Sequence, residues 1–495
     1  MKTSWTLPLT RLSSANNHFF KKQRVGELIS VRSSALYIFS FKTTIMSYKF
    51  FPHTEDDIRA MLKTCGEKSL DDLYKDIPED LVLKKEYDLP EGLSEIEVRK
   101  FFNGLADGNE TLKCLIGAGC YDHYSPSVVN SIVSRSEFLT SYTPYQAEIS
   151  QGTLQYIFEY QSMMAMLTGM EVSNASMYDG CTATAEAMMM AVAAAKKRNK
   201  VLISATVNPI VRRVVDTYAK YHGVTIEVIA EADGVTDRAD FEAKVAANDV
   251  AGVIVAAPNF YGIVEDYTGW ADFCHSHKTL LIMNNVASTL GVLKTPGEWG
   301  ADIAVGDGQS LGIPMNFGGP YVGYLCTSKK LIRKMPGRIV GATTDMEGKR
   351  TFVLTLQARE QHIRREKATS NICSNESLMA LYVTVYMALM GKDGLREVNE
   401  LGYSGAHYLA EKLCELKGFS MAFPDKSFLN EFAVKYDGDI DELQNVLLDY
   451  NGVQLGLKIA DHTLLLCVTE TISKDELDEV ILTCKAYTEG EDEDE

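Results

Sequence analysis

Short apolar runs alternate with helical patterns between residues 201 and 326, and this restricts the fold more than any other feature of the chain. The runs are Val201–Ser204, Thr225–Ile229, Gly252–Ala256, Leu280–Met283, Ile303–Val305 and Tyr321–Cys326. They are too apolar for a sheet with one wet face. Helical spacing fills the early gaps, for example Ile210 to Tyr221 and Asp240 to Ala246. That combination predicts a mostly parallel sheet covered by helices on both faces. The last runs leave no room for helices between them, so a reversed strand is expected there. Upstream, Thr153–Thr168 and Ala183–Lys197 read as helices.

Past Asn375 the pattern changes. Helices are expected over Glu376–Met390 and Leu395–Leu416, then strands at Phe432–Val434 and Thr463–Val468. Ser473 and Glu476 form a capping-box signature ahead of Leu477, Val480, Ile481 and Cys484, which share one helix face. At the other end, Thr54 and Asp57 precede Ile58, Met61, Leu62 and Cys65, the spacing of a capped amphipathic helix. Lys68 to Leu93, rich in Asp, Glu and Pro, reads as an arm lying over another surface, and Ile96–Gly104 as a further helix. The expected organisation is an N-terminal arm with helices over 46–140, a large α/β domain over 141–370 and a small C-terminal α/β domain over 371–488. No repeat of solenoid length is present.

The ends differ from the rest. Residues 1–45 hold seven Lys or Arg and one acid, Glu27, and are rich in Ser and Thr. This is the composition of a transit peptide, or of upstream sequence ahead of a true start at Met46. The second reading is favoured, because Ser47-Tyr48-Lys49 leads at once into orderly sequence. Residues 489–495 are nearly all acidic and read as a solvated tail. The net charge of −18 argues against a nucleic-acid binder, and no apolar run reaches the length of a membrane span. Ten cysteines occur without a C-x-x-C pair, so zinc-ribbon and thioredoxin readings lack support.

Five segments could carry chemistry. Gly117–Tyr124 combines turn glycines with Asp122, His123 and Tyr124; it reads as a catalytic loop or as a self-stabilised polar turn. Ser141–Gly152 packs tyrosines, glutamines, Glu148 and hydroxyls around Pro144, as a site wall or as an ordered loop would. Tyr178–Thr184 places Gly180 and Thr182 at the start of a helix, an arrangement suited to phosphate and equally to simple capping. Gly306–Pro320 is crowded with glycine after a strand, which indicates a shaped loop. Gln357–Asn371 is dense in charge, with Glu360 and Arg364 spaced for a helical ion pair, or with arginines arranged as an anion site.

Taken together, Ile116–Tyr124, Ser141–Gly152, Tyr178–Glu186, Gly306–Pro320, Pro336-Gly337-Arg338 and Leu356–Cys373 resemble the glycine decarboxylase family, the P-protein of the glycine cleavage system. The resemblance runs from about Ser47 to about Tyr487 and is similar to the N-terminal type of the split form, in which two chains share the work. It implies a fold-type-I architecture of the pyridoxal phosphate (PLP) enzymes: a large domain around a mixed sheet, then a smaller α/β domain. It implies decarboxylation of glycine and transfer of the aminomethyl group to the lipoyl arm of H-protein. It also implies a PLP-bearing partner, subunit 2, with two copies of each chain, and a cytoplasmic bacterial setting, mitochondrial only if residues 1–45 are a genuine transit peptide.

Within that resemblance, two groups are missing. The position of the Schiff-base lysine falls at Gln309, whose amide is no usable amine nucleophile. The stretch expected to carry an acid beside the cofactor ring reads Met283-Asn284-Asn285-Val286, and Lys294 lies outside the motif. PLP is therefore expected on the partner and not covalently on this chain, leaving Gly180 and Thr182 as weak cofactor candidates. His123, Tyr142, Tyr145, Gln146 and Glu148 are expected to line the entrance to the partner's site. No metal site is expected. The alternatives are a stand-alone PLP enzyme, such as an aminotransferase or lyase, and a scaffold subunit that contributes no side chain.

Overall fold

The computed structural model describes residues 52–489, except Glu86, Thr369 and Cys373. The expectations for residues 1–45, and for the acidic tail beyond Glu489, lie outside the described residues. The chain divides into two units, at Gly104 and Leu105.

In the first unit, helix α1 (Glu55–Cys65) starts with a true capping box: Thr54 Oγ1 accepts from the Asp57 N–H, and Asp57 accepts from the Thr54 N–H at 2.8 Å. It ends at Gly66, whose φ of 78° suits the left-handed cap. Helix α2 (Glu95–Ala106) buries none of its residues, and Ile96, Phe101 and Phe102 all stand exposed.

The second unit is built on a seven-stranded sheet. Its strands are β1 (Val172–Ser173), β2 (Lys200–Ser204), β3 (Thr225–Ile229), β4 (Val250–Ala257), β5 (Leu280–Val286), β6 (Ile303–Asp307) and β7 (Gly323–Thr327), in the order β1-β7-β6-β5-β4-β2-β3. From β3 to β6 the pairing is parallel, and β7 runs antiparallel to both its neighbours, the reversed strand expected from the spacing.

Side chains of these strands alternate between two buried layers. Val201, Ile203, Ile254 and Ile282 pack with helix α4 (Gly180–Ala195) and helix α5 (Pro209–His222). Leu202, Val253, Val255, Leu281 and Met283 pack with Phe241 and Trp270 from the short helices Arg238–Val245 and Trp270–Ser276. With both faces covered, the middles of the central strands are apolar on both sides, and the polar residues of β5 and β6, Asn284, Asn285 and Asp307, fall at their carboxyl ends. Helix α3 (Gln151–Thr168) forms a third layer with the hairpin Ile339–Thr344/Arg350–Thr355.

The helical span Ser377–Cys414 is bent at Gly391 (φ 58°, ψ −167°), so it forms the two stretches expected around that glycine. Its second half covers a four-stranded antiparallel sheet ordered Phe419–Met421, Glu431–Tyr436, Thr463–Cys467, Leu457–Ala460. Helices Ile440–Asn451 and Lys474–Glu489 complete that layer, the latter behind the Ser473–Glu476 box. The segment ahead of residue 140 also contributes here: Lys113–Cys114 pairs in parallel with Val453–Gln454. Among the described residues, no helix is long and apolar enough to cross a membrane.

Candidate functional site

A pocket of about 470 Å³ opens at the carboxyl ends of the parallel strands, the usual place for a ligand in an open α/β sheet. Its walls come from the loop at Ala118–Tyr121, the start of α4, Asn284–Val286 at the end of β5, Asp307 and Ser310 after β6, and Glu376 and Glu431. Among the lining residues there is no Lys, Arg or His, while four are carboxylates: Asp179, Asp307, Glu376 and Glu431.

Three of these carboxyls are taken up by the chain itself. Glu431 accepts from the Ala118 N–H at 2.5 Å and from the Tyr121 hydroxyl at 3.0 Å; burial pushes its carboxyl up to about 7. Asp307 accepts from the Gly180 N–H at 2.9 Å and from the Gln309 N–H at 2.8 Å; burial likewise raises it to about 7. Asp179 caps α4 by accepting from the Thr182 N–H at 2.8 Å. A Cβ on Gly180 would stand 2.7 Å from the Asp307 nitrogen, so glycine is what lets the helix end close on β6.

Gln309 is buried and saturated. Its Oε1 accepts from the Tyr121 N–H at 2.8 Å, while Nε2 donates to the carbonyls of Tyr121 and Ile313, both at 2.7 Å. Lys294 sits away from the pocket with its ammonium 3.6 Å from the Trp299 ring centroid. PLP requires an amine anchor, an acid beside the ring nitrogen and donors for a phosphate. Here the position expected for the anchor holds the Gln309 amide, the stretch expected to carry the acid holds Asn284 and Asn285, and the donor at Gly180 is already bonded to the Asp307 carboxyl. The residues present do not fit the cofactor.

The five expected site-wall residues do not line this pocket. His123 is buried, with Nδ1 2.7 Å from Glu470 Oε2 and Nε2 lacking a hydrogen-bond partner. Tyr142 is 83% exposed, and Gln146 and Glu148 are exposed too, on the irregular stretch before α3. Tyr145 is half exposed; its hydroxyl accepts from Arg338 Nη2 at 3.1 Å, and the guanidinium lies 5.3 Å from its ring centroid. Gly180 lines the pocket, whereas Thr182 serves the cap.

The Glu360–Arg364 ion pair expected from helical spacing is replaced. Glu360 turns inward, 3.7 Å from Arg338 and 3.5 Å from His362, because the buried Arg338 needs an opposite charge and the helix there is a single turn, Gln361–Arg364. Arg359 binds the carbonyls of Met335 and Gly337 instead of presenting itself to an anion.

Sequence reasoning passed over Asp307 and Glu431. Asp307 stood in view two residues before Gln309, within a stretch read only as a shaped loop. Glu431 offered no signal, since its partners lie more than three hundred positions upstream, at Ala118 and Tyr121.

Comparison with known proteins agrees with this architecture. Residues 48–484 match the family described as glycine cleavage system P-protein. The chain is 48% identical over 439 residues to a probable glycine dehydrogenase (decarboxylating) subunit 1 of Desulforamulus reducens, covering 87% of this chain and 98% of that one. A protein of the same name from Brevibacillus brevis is 48% identical over 453 residues, covering 90% of this chain and 100% of that one. Among solved structures, the inhibitor-bound glycine decarboxylase (P-protein) of the glycine cleavage system superposes with a TM-score of 0.81 at 42% identity, over 88% of this chain and 98% of that chain. A sphingosine-1-phosphate lyase from Burkholderia pseudomallei shares the fold alone, with a TM-score of 0.60 at 14% identity over 82% of this chain and 93% of that chain. The architecture is that of the fold-type-I PLP enzymes, and the chain belongs to the glycine cleavage system P-protein family.

Proposed function

We propose that this chain is the cofactor-free subunit of a heteromeric glycine decarboxylase in the glycine cleavage system. Its partner, subunit 2, holds the PLP; together they decarboxylate glycine and pass the aminomethyl group to the lipoyl arm of H-protein. The assembly contains two of each chain and works in the cytoplasm.

Gln309 carries the reading. A buried amide with all three of its hydrogen bonds directed into its own backbone offers no amine to a carbonyl. A stand-alone PLP enzyme would need a lysine in the pocket, and none lines it. The exposed apolar residues Ile96, Phe101 and Phe102, and Tyr142 and Ile149 ahead of α3, support a chain that works against a partner. In this reading His123, Tyr142, Tyr145, Gln146 and Glu148 shape the entrance to the partner's active site, where tyrosine hydroxyls, the Gln146 amide and the Glu148 carboxylate orient incoming polar groups.

The test is an absorbance spectrum with PLP and borohydride, on this chain alone and then mixed with subunit 2. The reading expects no reducible adduct on the chain alone and glycine–bicarbonate exchange only in the mixture with H-protein. A stoichiometric adduct on the isolated chain would sink it.

A further inference from the structure

The pocket lacks an amine, and in addition its anion position is filled. In a helix start such as that of α4, the first N–H groups are free and the dipole favours negative charge, so a phosphate could settle there. In this chain the Gly180 N–H donates to Asp307 Oδ2 at 2.9 Å, and the Thr182 N–H donates to Asp179 Oδ1 at 2.8 Å. Asp307 is held in turn by the Gln309 N–H at 2.8 Å. Two residues further on, the Gln309 side chain spans the Tyr121 peptide groups and Ile313. One short segment thus supplies both an anion at the helix start and an amide at the anchor position.

We propose that Asp307 and Gln309 act as internal substitutes for the cofactor: the Asp307 carboxylate occupies the phosphate position and the Gln309 amide occupies the anchor position. The inference rests on the reading that PLP belongs to the partner, and it adds that two independent blocks keep it out of this chain. Above about pH 7, where Asp307 and Glu431 ionise, any phosphate entering the pocket meets a consumed donor, the charge of Asp307 and three further carboxylates, with no lining cation to offset them. Restoring a lysine at position 309 therefore leaves the second block in place. The pocket keeps a structural task instead, tying the start of α4 to the loop that carries Tyr121 and His123.

The experiment uses full-length chain at about pH 8, where Asp307 is ionised, and measures two things: borohydride-trapped PLP by mass spectrometry, and binding of inorganic phosphate by calorimetry. Wild type and Gln309→Lys should show no stoichiometric adduct at position 309. Asp307→Ser should bind phosphate at least about tenfold more tightly than wild type, because a repelling carboxylate has left the donors. The double variant D307S/Q309K should trap PLP at position 309. Should the serine variants fail to fold by circular dichroism, Asp307→Asn keeps the shape, removes the charge and should show the same direction of change in phosphate affinity. A stoichiometric adduct in Q309K alone overturns the proposal, as does unchanged phosphate affinity in a folded Asp307 variant. Glycine–bicarbonate exchange by the wild-type mixture separately tests the partner assignment, so the two can fail apart.

Discussion

The Gln309 side chain grips the Tyr121 backbone at both polar atoms, its Oε1 accepting from the N–H at 2.8 Å and its Nε2 donating to the carbonyl at 2.7 Å. Replacing it with Ala would leave those two groups and the Ile313 carbonyl buried without partners. A loss of about 2–4 kcal/mol is expected, since each orphaned buried group costs on the order of 1–3 kcal/mol with partial relaxation. Urea unfolding checks this. A change under about 0.5 kcal/mol would show that the bracket contributes little.

Glu431 should make the fold sensitive to pH. Its carboxyl rises from 4.5 to about 7 on burial. The folded chain therefore holds this proton to higher pH than the unfolded chain does. The group's contribution is fully present below about pH 4.5 and is lost as pH rises through about 7. Asp307, raised from 3.8 to about 7, acts with the same sign. The melting temperature of wild type should fall between about pH 5 and pH 8. Glu431→Gln should show a shallower fall, the remainder coming from Asp307. A variant slope equal to that of wild type would refute the assignment.

The Phe241 and Trp270 rings stack 3.8 Å apart at an interplanar angle of 16°, both buried beneath the sheet. Phe241→Ala should cost about 3–5 kcal/mol through lost transfer energy and the cavity left behind. Denaturant titration by Trp fluorescence measures it.

Arg338 and Glu360 are both buried, and Arg338 Nε and Glu360 Oε1 lack hydrogen-bond partners. Glu360→Ala would strand the guanidinium and should destabilise the chain by about 3–5 kcal/mol, as removal of one member of a buried pair does. A calorimetric melting curve that matches wild type would contradict this.

Tyr142→Ala and Glu148→Ala separate a contributing subunit from a scaffold. Both side chains are exposed, so the isolated variants should melt within about 0.5 kcal/mol of wild type. Assembly with subunit 2 or glycine–bicarbonate exchange should nevertheless drop severalfold. Unchanged assembly and exchange in both variants would favour the scaffold.

Most of the sheet was legible because its information is local. Strands β2 to β6 announced themselves as apolar runs, and the spacing after Ile303 indicated where the chain reverses. Gly391 separates two helical stretches that sequence alone divides at the same place. The two-residue strand Val172–Ser173 carries no period to detect. The Glu360–Arg364 expectation failed because a local spacing rule cannot register a buried Arg338 competing for the same carboxylate.

Residue identity by itself determined what this chain lacks: glutamine at 309 and asparagine at 284 and 285 offer no amine and no acid, wherever they are placed. Tertiary structure alone decided what stands in their place. Gly180 meets Asp307 across 127 positions, Gln309 meets Tyr121 across 188, and Glu431 meets Tyr121 across 310. Such pairs follow from how the sheet closes and where its loops converge, and a hydrogen bond between distant residues leaves no periodic trace in either segment.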